Sequence, residues 1–294
     1  MKILIGISSK KYSEPTLDVG MRIASILNSS TTILDVGEKI NEFSYKDVSI
    51  ANELMESWDL DRPGVDVLEW AYNYLQKENY ITKSSNDIGF SKNLLVDKGN
   101  GRSEVFLKGS AVKNLSLILR NGDIIEELRD EVQSYNYDLT IIGGSGKRSM
   151  AHDLVQYIDS SIFVVNNFNR KHTYRILLAV DDSKGNKKAV KFAVRVAQAF
   201  NIEVDIVSIS DEKRVSEKFH SYSHRAEKMM RRTGVKSKVR FVKGDLVDTL
   251  LDVAGNNHII VMGKSSQSPL SKFFLGSKPL AVMESCNCPM VIVK

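Results

Sequence analysis

Ile176-Leu177-Leu178-Ala179-Val180-Asp181 is an apolar run that stops on an acid, and Ile3-Leu4-Ile5-Gly6-Ile7-Ser8 repeats the run near the start of the chain without the acid. Unbroken apolar character over this length suits a strand covered on both faces, as in a parallel sheet between helical layers. Downstream of the second copy, Ala189, Val190, Ala193, Val196, Ala197 and Phe200 recur at helical spacing and mark one buried stripe. The self-similarity continues. Leu117 to Asp123 matches Arg240 to Asp245, each a strand entering a Gly-Asp turn; Leu139 to Gly143 matches Ile259 to Gly263; Ile162 to Val165 matches Met290 to Val293.

Both halves therefore read β-α-β-α-β-α-β-α-β, the first copy being enlarged. Alternating strands and helices imply right-handed parallel crossovers and a doubly wound sheet. The fold class expected is α/β, with two tandem doubly wound parallel-sheet domains at residues 1–168 and 173–294, joined by the polar stretch Asn166 to His172. The enlargement lies at about residues 38–113. There Val67, Leu68, Ala71, Tyr74 and Leu75 form a helix stripe, and Gly89 to Gly109 reads as a hairpin or extended arm. Trp58 and Trp70 fall in this insertion and read first as core packing.

The bulk numbers narrow the function classes. A 294-residue chain with 42% hydrophobic and 26% charged residues has the composition of a globular protein, and its length suits two domains. No run approaches the roughly 18 apolar residues of a membrane span. The chain opens directly on a strand-like segment rather than a charged leader, so a cytoplasmic location is expected. The two cysteines, Cys286 and Cys288, are too close in sequence to suggest a disulfide and read as packed thiols. The net charge of +5 comes from 41 basic and 36 acidic residues that are interspersed. That pattern describes a solvated surface, and Lys228 to Arg232 reads as an exposed helix end; nucleic-acid binding is not the expectation.

In a doubly wound sheet, ligands bind where strand order reverses, at the carboxyl ends of the strands. After the fourth strand of the second copy comes Gly263-Lys264-Ser265-Ser266-Gln267-Ser268-Pro269-Leu270-Ser271-Lys272-Phe273-Phe274-Leu275-Gly276-Ser277, which enters a helix at Lys278. Small residues at both ends let backbone amides approach an anion, and Ser277 adds a hydroxyl where a helix dipole favours negative charge. Gly263 and Gly276 taken singly also suit plain turns.

This segment resembles the universal stress protein signature G-x2-G-x9-G-[ST]. The similarity extends to the element order, the Val-Asp ending of strand one, the Gly-Asp turn and the Cys-Pro before the last strand, over essentially all of Tyr174 to Lys294. One departure is Ser266, which stands where the second glycine is expected and adds a side chain beside the phosphates. The resemblance implies binding of ATP or a related adenine nucleotide, with or without magnesium, in a stress-response regulatory protein. It places Ala179, Val180 and Asp181 and then Ile209 around the nucleoside. Met262 and Gly263 follow strand four, with Ser265, Ser266, Gly276, Ser277 and Lys278 around the phosphates. Asp181 also suits a turn or a helix cap.

The first copy departs further. Ser8 replaces the acid, and Gly143-Gly144-Ser145-Gly146-Lys147-Arg148-Ser149 runs almost directly into a helix, too short to wrap a triphosphate in the family manner. A degenerate, scaffold-like first domain is expected. No Ser-His-Asp order, carboxylate pair or metal string stands out, and His220 and His224 read as surface histidines. Slow ATP hydrolysis aided by Lys264 or Lys278 is compatible with the residues, although none is an evident base. The second reading is a nucleotide-free interaction scaffold; an enzyme acting through an adenylate comes last. Ile162 to Val165 and Met290 to Val293 are apolar edge candidates. The resemblance implies that they join the two domains as a pseudo-dimer, with a homodimer of chains and an unidentified protein partner as further expectations.

Overall fold

Strands and helices alternate because the sequence alternates β-branched apolar runs with amphipathic stripes. A computed structural model describes residues 1–38, 63–81, 95–99, 101–107, 112–144, 153–155, 157–181, 186–210, 217–264 and 278–294. The elements form two compact units, Met1–Tyr137 and Asp138–Lys294.

The first unit contains β1 (Lys2–Ile7), α1 (Lys10–Ile26), β2 (Ser30–Gly37), α2 (Val65–Lys77), β3 (Val96–Asp97), β4 (Ser103–Leu107), β5 (Asn114–Asn121) and α3 (Ile124–Tyr135). Its strand order is β1-β2-β5-β4-β3, parallel from β1 to β5 and antiparallel beyond. The insertion therefore contributes a helix and a hairpin that widens the sheet. Helix α2 buries Leu68, Ala71, Tyr74 and Leu75 from the expected stripe, while Val67 is half-buried. Trp70 is also half-buried and meets Tyr74 at 5.9 Å between ring centroids; Trp58 lies outside the described residues.

The hairpin also explains a buried charge cluster. Its register sets Ser103 opposite Leu119, which brings Arg102 beside Arg120. Two adjacent guanidinium groups repel unless an anion joins them, and Glu131 of α3, fully buried, lies between. Arg120 donates to its Oε2 through Nε at 2.9 Å and Nη2 at 2.7 Å. Arg102 donates through Nε at 3.2 Å, and Tyr137 through its hydroxyl at 3.1 Å. Glu104 and Glu127 take the outer arms of Arg102 and Arg120 at 2.5 and 2.9 Å. Burial, together with the charge of Glu131, pushes the Tyr137 phenol up.

The second unit begins with β6 (Leu139–Gly143) and β7 (Ser161–Val165), followed by β8 (Arg175–Ala179), α4 (Asn186–Phe200), β9 (Val204–Ser210) and α5 (Glu217–Arg232). Then come β10 (Ser237–Lys243), α6 (Leu246–Ala254), β11 (His258–Gly263), α7 (Lys278–Ser285) and β12 (Met290–Val293). Strand order is β10-β9-β8-β11-β12-β7-β6. Helices α4 and α5 pack together over the strands, as do α6 and α7. The sheet is parallel except between β12 and β7, where Met290 pairs with Val164 and Ile292 with Ile162. The two repeat-closing strands thus satisfy each other's ladders. Strand β10 ends the order and exposes Lys238, Arg240 and Lys243, charges that discourage further strand pairing.

The Gly-Asp turns are helix caps in both copies. Asp123 accepts from the amides of Ile125 and Glu126 at 2.9 and 3.1 Å, and Asp245 from those of Val247 and Asp248 at 2.8 and 3.2 Å. Asp245→Ala should lower stability by about 1 kcal/mol and Asp245→Asn by much less; equal losses in urea titrations would refute the capping role.

At the amino ends of the second unit's strands, Arg175 forks onto Asp205 at 2.8 and 3.0 Å, and His258 Nε2 lies 3.1 Å from the same carboxylate. Burial alone would raise the Asp205 carboxyl, but its bonds to Arg175 and His258 hold it below the usual range. This cluster ties β8, β9 and β11 together at the end opposite the candidate site.

Candidate functional site

From β8 the chain steps outward to β9 and β10, then returns to the other side of β8 for β11 and β12. Strand order reverses between β8 and β11, which makes a crevice at their carboxyl ends the expected ligand position. The register aligns Ala179 with Val207, and Leu178 with Val261. Hence Ala179, Val180 and Asp181 end the central strand between Ile209 on one side and Met262 and Gly263 on the other. Val180, Ile209 and Met262 are buried, whereas Ala179, Asp181 and Gly263 are half-buried. Buried apolar residues beside a half-buried carboxylate can meet a small ligand that has both apolar and hydrogen-bonding parts.

The backbone at Asp181 is clamped by a residue that sequence reasoning did not single out. Asn186, the first residue of α4, accepts from the Asp181 amide at 3.3 Å and returns its own Nδ2 to the Asp181 carbonyl. The first copy repeats the device. The Ser8 amide donates to Ser13 Oγ at 3.0 Å, five residues on, just as Asn186 lies five residues after Asp181. The signal that could have found it is a small polar residue at that fixed offset from each strand end. Beside the end of β8, Ser208 donates to the Val180 carbonyl at 2.8 Å and meets Ser223 of α5 at 2.7 Å, which joins β8, β9 and the helix.

Segment 265–277 runs from just past the end of β11 to the start of α7. Ser265, Ser266, Gly276 and Ser277 lie outside the described residues, as does the side chain of Lys278, which opens α7. The first strand-four exits match. Gly144 donates to the Val165 carbonyl at 3.0 Å and Lys264 to the Val293 carbonyl at 2.8 Å. Residues 145–149 of the shorter first loop are outside the described residues. At the carboxyl ends of β2 and β5 in the first unit, Asn121 Nδ2 donates to the carbonyls of Glu38 and Pro63, each at 3.2 Å. A side chain at Gly37 would collide with the Pro63 carbonyl, its Cβ only 2.2 Å away. The chain's own turn at Pro63 and Gly64 therefore covers that edge.

His220 and His224 are exposed on α5; His220 packs on Phe241 with centroids 4.2 Å apart, and His224 lies 3.4 Å from Glu227. Among the described residues no group of three or more His, Cys, Asp or Glu side chains is arranged to hold a metal. No helix among them is long and apolar enough to cross a membrane.

The universal stress protein family model matches residues 173–294, the stretch that carries the switch point between β8 and β11. These residues are a universal stress protein domain. Universal stress protein MJ0531 of Methanocaldococcus jannaschii is 23% identical over 153 residues, covering 45% of this chain and 90% of that protein. A universal stress protein of Archaeoglobus fulgidus DSM 4304 has the same fold, with a TM-score of 0.61 at 14% identity over 100% of this chain and 96% of its own. Another Archaeoglobus fulgidus universal stress protein, solved in complex with dAMP, covers 41% of this chain and 98% of its own at 19% identity and a TM-score of 0.32. The α/β architecture with its largely parallel sheet is that of the universal stress protein fold.

Proposed function

We propose that this protein binds ATP or a related adenine nucleotide in its C-terminal repeat, and that occupancy alters a surface seen by a protein partner or a second copy of the chain. The observation that carries the reading is the convergence of Asp181, Ile209, Met262 and Gly263 on the switch point between β8 and β11. The Asp181 carboxylate accepts hydrogen bonds from a ribose hydroxyl or adenine amine, and the Gly263 to Ser277 segment supplies amides to phosphate. Residues 173–294 form the nucleotide-binding repeat. Residues 1–168 form a degenerate copy, supported by Ser8 in the place of Asp181 and by the Pro63 turn over β2 and β5.

Calorimetry of the full chain with ATP, ADP and AMP, each with and without magnesium, tests the reading. A nucleotide at a hundredfold excess over its dissociation constant stabilises the fold by about 2.7 kcal/mol, visible as a rise in Tm. Asp181→Ala removes charge-assisted hydrogen bonds of about 1.5–3 kcal/mol and should weaken binding roughly ten- to hundredfold. Gly276→Val should weaken it as well, by blocking close approach of the phosphates. Neither heat nor a Tm rise with any of the three nucleotides would leave the nucleotide-free scaffold, the reading that Ser266 and the covered first-unit edge favour.

A further inference from the structure

Cys286-Asn287-Cys288-Pro289 is the turn between α7 and β12. Two thiols separated by one residue point to opposite sides of an extended chain, yet here the Sγ atoms are 2.7 Å apart. The turn achieves this by curling back on itself: the Cys288 amide donates to Cys286 Sγ at 3.2 Å. It is also anchored on three sides. The Cys286 amide donates to Val282 of α7 at 2.8 Å, the Pro289 carbonyl accepts from Ile260 of β11 at 2.9 Å, and Asn167 Nδ2 donates to the Asn287 carbonyl at 3.0 Å. Both cysteines are buried, at 5% and 6% exposure, and both are free thiols. Disulfide sulfurs lie about 2.05 Å apart, so a bond here needs a small closing movement rather than a rearrangement.

We propose that Cys286 and Cys288 are a redox modification site, a dithiol that a small peroxide converts into an intramolecular disulfide. The two sulfurs are not equivalent. The hydrogen bond from the Cys288 thiol, opposed by burial and helped by the Cys288 amide, draws the Cys286 thiol down. The same pairing and burial push the Cys288 thiol up. Cys286 is accordingly the nucleophile, since the thiolate is the reactive form. Its thiolate attacks one oxygen of the peroxide, the O–O bond breaks, and with hydrogen peroxide one water leaves and Cys286 becomes a sulfenic acid. Cys288 then attacks the Cys286 sulfur, its proton goes to the departing hydroxide, and a second water leaves. In sum, two thiols and one hydrogen peroxide give one disulfide and two waters. Burial favours a small oxidant over a bulky disulfide and protects the sulfenic acid from further oxidation until Cys288 closes the bond. A thiol reductant reverses the step. The inference is independent of nucleotide binding.

Thiol counting after hydrogen peroxide treatment of the folded full chain tests it, because these are its only two cysteines. The expected result is loss of both alkylatable thiols in a monomeric product whose peptide carrying both cysteines has lost two hydrogens, with both thiols restored by dithiothreitol. In Cys288→Ser, Cys286 should accumulate as a sulfenic acid trapped by dimedone. In Cys286→Ser, Cys288 should react at least tenfold more slowly. Persistence of two alkylatable thiols, oxygen addition to both sulfurs without a cross-link, or a disulfide between two chains would each overturn the proposal.

Discussion

Arg120→Ala is expected to destabilise the first unit by about 3–5 kcal/mol, the usual penalty for stripping one partner from a buried ion cluster. Glu131 has no exposure to solvent and takes its two shortest bonds, 2.7 and 2.9 Å, from Arg120. Once that guanidinium is gone, Arg102 must serve Glu131 while it is already committed to Glu104 at 2.5 Å. The charges sharpen the expectation. Arg102 and Arg120 face Glu104, Glu127 and Glu131, so the intact cluster already has one more negative than positive charge.

Glu131→Gln should therefore be the milder change, because it leaves two cations facing two anions and keeps a buried hydrogen-bonding group. Urea unfolding followed by tryptophan fluorescence gives the comparison, as Trp58 and Trp70 both belong to the N-terminal half of the chain. If Glu131→Gln proved as damaging as Arg120→Ala, charge imbalance would not be the cause of the loss.

Why that cluster was hidden from a sequence reading is instructive. In α3 the buried residues are Leu128, Glu131 and Val132, and periodicity assigns Glu131 to the solvent because a carboxylate is normally exposed. Its burial depends on Arg102, which arrives from the inserted hairpin, and no local pattern announces a partner 29 residues away. The strands, by contrast, were legible because parallel strands covered on both faces have to be apolar throughout. The Gly-Asp turns were visible as repeats, though their work as caps needed coordinates. At the candidate site, the fold rule pointed only to the strand ends at the switch point, and Asp181, Ile209, Met262 and Gly263 were named there through the resemblance of the second repeat to the universal stress protein signature. Asn186 and Ser13 escaped because a backbone clamp leaves no spacing signature beyond its offset.

Asp35→Asn should remove a pH-dependent loss of stability on the order of 4 kcal/mol. Asp35 lies in β2 between Ile7 and Leu119 of the neighbouring strands and is 2% exposed. Its carboxyl rests on Gly64, the residue preceding α2, where a Cβ would come within 2.4 Å of Asp35 Oδ2. Gly64 has a φ of 98°, so a side chain there would be strained as well as obstructed. Burial, reinforced by the negative charge of Asp66 in the first turn of α2, pushes the Asp35 carboxyl up to about 7. Lys10 lies 3.8 Å from Asp66, but both side chains are well exposed, so that ion pair offers little relief. In the unfolded chain the same carboxyl ionises near 3.8. Below that pH both states hold the proton, and the contribution to stability is fully present. Between about 4 and 7 the unfolded state ionises while the folded state does not, so stability falls as pH rises; above 7 both are ionised and the loss is complete. Asparagine keeps the shape and carries no charge at any of these pH values. The variant should match the native protein near pH 4 and exceed it by several kcal/mol at pH 8, as read from urea midpoints. A constant difference between the two proteins across that range would mean that Asp35 is ionised in the folded state, with a counter-charge holding it there.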